Sequence, residues 1–383
     1  MKWGTKGMVS ERLRYLDFLR GIAVILVMAG HFIDVATWGT EIPGVIHPNN
    51  IGMLPITPTD TQQYWRTSVF LVDSGGVQNA IVGVVFFFIL TGCFIPDSLN
   101  HYGRKKFLIN RFFRIFPTLW VCMIIDGIVV YILQGIQFSI NTWLLTMCGL
   151  WKVFNVAPVS GVLWTLDIEL FFYLFCTAIG KFSLRRVYFM YIGIIIAVLM
   201  LPSDNYWICL IAGNLKWMSL ILVGVCFNLV QKNMNDGVCG GGGGGYTPVL
   251  CSIMLSFISF NIFKYRFGDQ TTYPKLATFV FCFSIFFLLI YLNKLNPVIF
   301  NKKYYAPIYW LAKHCFTIYL LHVSVGIPLM FWLREKGESS YLAIILGIVS
   351  SLFMAQVVTW VVEKPSIALV KSLMRRYKTN ITQ

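Results

Sequence analysis

The sequence predicts an all-α integral membrane protein, a bundle of about ten transmembrane helices with both termini in the cytoplasm. Three observations carry that prediction. Of its 383 residues, 57% are hydrophobic and 12% charged, with a mean hydropathy of +0.70; an ordinary soluble domain carries roughly twice that charged fraction. Apolar runs of about 17 to 25 residues, the length that crosses a hydrocarbon core, recur from one end of the chain to the other. The Lys and Arg residues are also unevenly placed: 23 fall in alternate loops starting from the N-terminus, 7 in the intervening loops, and Lys216 within a span. Excess basic charge marks the cytoplasmic side, which places the even-numbered bundle with both ends inside, in the cytoplasmic (inner) membrane.

The expected spans are 17–38, 80–97, 112–134, 164–180, 186–202, 206–231, 247–263, 275–293, 309–332 and 341–362. The first follows basic residues, as a signal peptide would, but it is too long, lacks a small-residue cleavage site and carries Arg20 and His31, so it reads as a retained span. The extracytoplasmic loop 39–79 is rich in Pro, Thr and Gly and holds Glu41, Asp60, Arg66 and Asp73; at that length it either caps an outward cavity or merely connects. The apolar stretch from Ile140 to Leu150 is too short to cross and is expected to be re-entrant or interfacial. Six consecutive glycines, Gly240 to Gly245, make 232–246 a flexible cytoplasmic loop. No large soluble region remains, so 1–383 reads as one transmembrane domain.

Several function classes recede on the same evidence. The net charge of +15 is mostly the loop asymmetry, and no separate basic domain exists to bind nucleic acid. The ten cysteines show no CxxC spacing, which points to neither a disulfide framework nor a metal site. The sequon at Asn380 falls on the cytoplasmic tail and is discounted. No internal repeat or symmetric pair of broken spans is visible, which counts against the commonest transporter architectures.

Ionisable groups inside spans are costly and mark function by default. Those singled out are Arg20 and His31 on the first span, Asp126 on the third, Asp167 and Glu169 on the fourth, and His322 on the ninth. At about 1.5 Å of rise per residue, His31, Asp126, Glu169 and His322 all fall roughly 20 to 22 Å from the cytoplasmic face. That common level is a candidate reaction chamber in the outer half of the membrane. Arg20 and His31 are eleven residues apart, about three helical turns, and so share a face. The arginine would receive something anionic at the mouth of a groove and the histidine would act at its far end. Asp17 can pair with Arg20, Asp34 can orient His31 or end the helix, and Asp167 points about 160° away from Glu169 on its own helix.

The stretch "LDFLRGIAVILVMAGH" resembles the opening of the membrane acyltransferase-3 family, in which a basic residue, ten intervening residues and a histidine recur; here they are Arg20 and His31. Further matches follow in order. "GVVFFFILTGCFI" is similar to the family's FF-x-x-SG segment, "RFFRIFPTLW" to R-x-x-R-x-x-P, "LWTLDIELFFYL" to W-S-L-x-x-E-x-x-F-Y, and "TIYLLH" and "VVEKPS" to the Y-L-x-H and E-x-P elements. Thr91 and Thr165 stand where the family usually has serine, and Thr91 is expected to keep that structural role. The resemblance covers nearly the whole chain.

What the resemblance implies is O-acyl transfer, most often of acetyl from cytoplasmic acetyl-CoA, to a hydroxyl of a cell-surface or lipid-linked saccharide. His31 would be the general base or a covalent acyl carrier, with Glu169 supporting the imidazolium or the sugar and Arg20 completing the catalytic set. Arg111 and Arg114, one turn apart behind Arg104, Lys105 and Lys106, would bind the phosphates of acyl-CoA together with Arg14, because an arginine fork matches phosphate oxygens. Trp164 offers a face for a sugar ring, and Tyr319 and His322 would donate to the oxyanion. The expected partners are acyl-CoA, a saccharide or glycolipid acceptor and membrane lipid, with no metal; oligomeric state is unreadable. The alternative is a proton-coupled transporter or flippase in which His31, Glu169 and His322 relay protons.

Overall fold

The computed structural model describes residues 14–38, 79–202, 205–235, 245–267 and 276–379. The charged loop residues Glu41, Asp60, Arg66 and Asp73, the glycine run up to Gly244 and the sequon at Asn380 lie outside the described residues. Among the described residues twelve α-helices follow one another: α1 (Arg14–Trp38), α2 (Asn79–Gln134), α3 (Ile140–Cys148), α4 (Trp164–Ile179), α5 (Leu184–Met200), α6 (Tyr206–Asn235), α7 (Thr247–Phe267), α8 (Leu276–Leu295), α9 (Ala306–Leu321), α10 (Ile327–Glu335), α11 (Ser340–Val358) and α12 (Lys364–Thr379). Two π-helical turns, His322–Gly326 and Thr359–Glu363, join α9 to α10 and α11 to α12. Among the described residues there is no β-strand.

Eight described helical segments are long and apolar enough to cross a membrane. Each of the ten expected spans overlaps a helix. Two of them share α2, which breaks at Gly103, where φ is 70° and ψ 166°; without a Cβ, glycine enters that region at little cost. The span expected at 186–202 corresponds to the 17-residue α5. Outward faces carry Ile128, Ile132, Leu174, Phe189, Ile196, Met254, Val280 and Phe353, all exposed. Helices that are apolar outside as well as inside belong in lipid. The short stretch after α2 forms the nine-residue α3, capped by Ser139, whose hydroxyl accepts from the Thr142 amide, and by Gly149 at φ 71°. It is far too short to span.

The chain folds as two compact units. The first holds the described residues 14–38, 79–86, 115–163 and 276–366. In it α1 packs against α9, α8 and α11, burying Leu16, Leu19, Ala23, Val27 and Phe32 at near-helical spacing. The π turn after α9 meets α11 at a point where backbones nearly touch: a Cβ added at Gly326 would stand 2.3 Å from the Ser351 hydroxyl and 2.4 Å from the Phe32 ring.

The second unit holds the described residues 87–114, 164–202, 205–235, 245–267 and 367–379. Here α6 packs against α4, α5 and α7. In lipid, association relies on close packing and interhelical hydrogen bonds, because tails are as apolar as the side chains. Both devices are present. Tyr191 on α5 donates to the Ser219 carbonyl at 2.8 Å and shares a 2.6 Å hydrogen bond with Ser252 on α7, and Ser219 and Ser256 meet at 2.8 Å. Where α2 crosses α6, a Cβ on Gly92 would stand 1.9 Å from the Ile221 carbonyl and one on Gly224 would stand 1.9 Å from the Ile89 carbonyl. Only backbone fits at that crossing.

Gly224→Val should therefore cost about 1 to 3 kcal/mol or prevent assembly, seen as a lowered Tm of the detergent-purified protein. Gly193→Ala on α5, where nothing lies within 4 Å of the new methyl, should leave Tm level or raise it by the roughly 0.5 to 1 kcal/mol that glycine costs a helix interior.

Candidate active site

The first unit brings together two histidines 291 residues apart in the chain. His31 lies half-buried on α1, and His322, fully buried, opens the π turn after α9. His31 Nδ1 and His322 Nε2 are 2.8 Å apart, and the rings are 5.0 Å between centroids at 32°. The protons can be assigned from the surroundings. His322 Nδ1 faces two backbone carbonyls, Tyr319 at 2.8 Å and Ile318 at 3.1 Å. Carbonyls only accept, so Nδ1 carries the hydrogen, and Nε2 of the neutral ring is left as an acceptor. His31 must then donate from Nδ1, which leaves its Nε2 with a lone pair. That is the tautomer a general base needs. π turns inside helices recur at functional sites, and this one places the imidazole against the carbonyls at the end of α9.

Around the pair the polar groups are engaged. The Tyr319 hydroxyl donates to the Val162 carbonyl at 2.9 Å. The hydroxyl is thus held on a backbone acceptor. His322 has one nitrogen on carbonyls and the other against His31. Ser351 donates to the Gly347 carbonyl at 2.8 Å, and Ser324 to Ser160 at 2.9 Å. Asp126 on α2 is fully buried in the same unit, and neither of its carboxyl oxygens has a hydrogen-bond partner.

The burial of two ionisable groups escaped the sequence reading. Glu363, 6% exposed, closes the second π turn and accepts from Thr317 at 2.7 Å, and the one proton of the Thr359 hydroxyl can go to Thr317 at 2.9 Å or to Glu363 at 3.3 Å. His314 is buried on α9 with Nδ1 donating to the Trp310 carbonyl at 2.7 Å. The sequence reading carried Glu363 only as the acidic residue of the E-x-P element; the hydroxyls of Thr317 and Thr359 were the available signal for its burial.

The remaining candidates divide between the units. In the first, Arg20 donates to Asp17 at 3.2 Å, both partly exposed, and the carbonyl of half-buried Arg14 accepts from Tyr309 at 3.2 Å. In the second, Glu169 accepts from the Tyr173 hydroxyl one turn along α4, and half-buried Asp167 sits in the first turn of that helix. Arg111 is 9% exposed. It donates to Ser98 at 2.8 Å and lies over the rings of Phe107 and Tyr173 at 5.2 and 5.3 Å. Among the described residues it has no carboxylate partner, and its Nε makes no hydrogen bond. Arg114, expected to act with it as a pair, is exposed. Trp164 packs 5.1 Å from Trp217 and 6.4 Å from Phe88, and half-buried Thr91 precedes the Gly92 crossing. Among the described residues no three His, Cys, Asp or Glu side chains are grouped to hold a metal ion.

A half-buried imidazole oriented by a second histidine, in a chain with eight described helical segments long and apolar enough to cross a membrane, defines a polytopic helical membrane protein. Residues 13–363 match the profile described as an acyltransferase domain, and the chain belongs to this acyltransferase-3 family of membrane acyltransferases. It is also similar to Nodulation protein 10 of Rhizobium leguminosarum bv. viciae, 29% identical over 113 residues that make up 24% of this chain and 31% of that protein. The chain thus aligns with about a third of the length of that relative. No solved structure matches.

Tyr319→Phe separates a structural hydroxyl from a catalytic one. Loss of the bond to Val162 should cost about 1 kcal/mol of stability with turnover preserved, whereas an oxyanion donor would lower kcat by roughly a hundredfold or more.

Proposed function

We propose that this acyltransferase moves an acyl group, acetyl in the first instance, from cytoplasmic acyl-CoA to a hydroxyl of a cell-surface or lipid-linked saccharide, with His31 as general base. The observation that carries the reading is the oriented pair of His31 and His322. In the transfer, Nε2 of His31 takes the proton of the acceptor hydroxyl as its oxygen attacks the thioester carbonyl. The new C–O bond forms, the C–S bond breaks, and the CoA thiolate leaves and recovers the proton from the imidazolium. His322 accepts from Nδ1 throughout and favours the charged ring, so proton uptake requires no rotation of His31. Direct transfer accounts for this geometry without a covalent acyl-histidine.

Arg111 supports the donor side. A buried cation without a counter-charge is costly, and a guanidinium held on two rings and one hydroxyl is prepared for a bidentate anion such as the phosphates of CoA. Exposed Arg114 would add long-range attraction, and Arg14 and Arg20 would provide positive charge near the start of α1, where Arg20 shares a face with His31. The excess of Lys and Arg in alternate loops supports cytoplasmic termini and an inner-membrane location. Glu169 would act on the sugar through its link to Tyr173, and Trp164 would offer it a ring.

His31→Ala should remove transfer, a loss of at least the roughly 10²- to 10⁴-fold owed to a general base, while acyl-CoA still binds. His322→Leu should lower kcat with little change in the KM for acyl-CoA, and His322→Gln, whose amide oxygen can accept from His31, should restore part of it. Arg111→Ala should raise the KM for acyl-CoA about tenfold or more. The measurement is CoA thiol release by purified protein in lipid, given acetyl-CoA and a lipid-linked saccharide extract. Equal rates for wild type and His31→Ala would overturn the base assignment; substrate flux without CoA release would favour a transporter.

A further inference from the structure

The buried polar groups of the first unit fall into two kinds. Most are paired: Tyr319 with a carbonyl, Ser351 with a carbonyl, Glu363 with two threonines. Thr118 Oγ1, Asn293 Oδ1 and His314 Nε2 each lack a partner, and Asp126 differs from them in being a carboxyl with both oxygens unpaired. It is 0% exposed, and both of its oxygens lack a partner. The hydroxyl of Ser324 adjoins it, but a hydroxyl has one proton, and that of Ser324 is directed to Ser160 at 2.9 Å. Were that proton turned to Asp126, the second carboxyl oxygen would still be bare. Among the described residues no Lys or Arg forms an ion pair with it. A carboxyl buried with neither a hydrogen bond nor a counter-charge is among the most expensive groups a fold can keep.

Its place gives it a use. Ser324 lies two residues after His322 in the same π turn, and Ser160 lies just before the short turn that leads into α4. One backbone segment therefore positions both the partner of the base and the neighbour of the empty carboxyl. With α9 entering from the cytoplasm, Ser324 lies beyond His322, on the side from which a saccharide would come. We propose that Asp126, with Ser324 and Ser160, is a subsite for hydroxyl groups of the acceptor, so that a polyol completes the hydrogen bonds the protein leaves unmade. A carboxyl accepts from sugar hydroxyls, and the two serines can each turn to donate or accept, which suits a ligand bearing adjacent hydroxyls. The subsite rests on the acyl-transfer reading above and adds the group that selects the acceptor.

The test uses the full chain in lipid nanodiscs, with CoA release measured against acetyl-CoA and against a lipid-linked saccharide extract in separate titrations. Asp126→Asn keeps the shape and removes the charge. It should raise the half-saturating extract concentration roughly 10- to 100-fold, the loss of one or two hydrogen bonds to a charged group, and leave the KM for acetyl-CoA within about twofold. Ser324→Ala, which changes a single hydroxyl and keeps the fold if Asp126→Asn does not, should shift the same constant in the same direction by a smaller factor. The proposal is overturned if the two half-saturation values stay at wild-type levels while Tm rises, which is what relief of a purely structural orphan would give. It is overturned equally if both values move together. Failure of the acyl-transfer reading would look different: wild-type protein would release no CoA in response to the extract.

Discussion

A histidine can serve as a base only if the nitrogen that faces the substrate is the one without a proton, and in this protein the proton positions of His31 are set two steps away from its Nε2. The carbonyls of Ile318 and Tyr319 fix the proton on His322 Nδ1, His322 Nε2 fixes the proton on His31 Nδ1, and the lone pair is delivered to His31 Nε2. One 2.8 Å contact decides the tautomer of His31, and the packing of Phe32, Gly326 and Gly347 around the π turn holds the donor and acceptor in register. The rest of the first unit can be understood as a scaffold for that alignment.

The second unit solves a different electrostatic problem. It keeps Arg111 nearly buried with aromatic faces and one serine in place of a carboxylate. A salt bridge would have satisfied the guanidinium and left little affinity for an incoming anion; quadrupoles and a hydroxyl soften the desolvation cost without neutralising the charge. The glycine crossing of α2 and α6 and the serine and tyrosine contacts among α5, α6 and α7 supply the rigidity on which such a poised cation depends.

Much of this was legible in the sequence. Hydropathy located every long helix because lipid demands an unbroken apolar run, and an arginine and a histidine inside such runs stood out against that demand. The pairing of His31 with His322 was partly visible, since equal depth brought them to one level, but depth says nothing of azimuth, and the hydrogen bond between them follows from the contact of α1 with α9. The bonds of Glu363 were not legible because its partner Thr317 lies 46 residues away on another helix, and His314 draws no notice because its partner is a backbone carbonyl of its own helix. The arginine motif was legible as composition but not as geometry: Arg111 and Arg114 lie only about 60° apart round the helix, and the burial of one and exposure of the other follow from packing that the sequence does not show. The bond from Tyr319 to the Val162 carbonyl was not legible, because hydropathy does not place the short 3-10 turn that carries Val162.

The two π turns carry one further consequence, for how the chain can change. Each holds about one more residue per turn than an α-helix, so loss of one residue from His322–Gly326 would let that stretch regain regular winding with α10 close to its present azimuth. What would change is the wide turn that carries Ser324. A deletion that would turn everything after it by about 100° in a regular helix is in these two segments a local change.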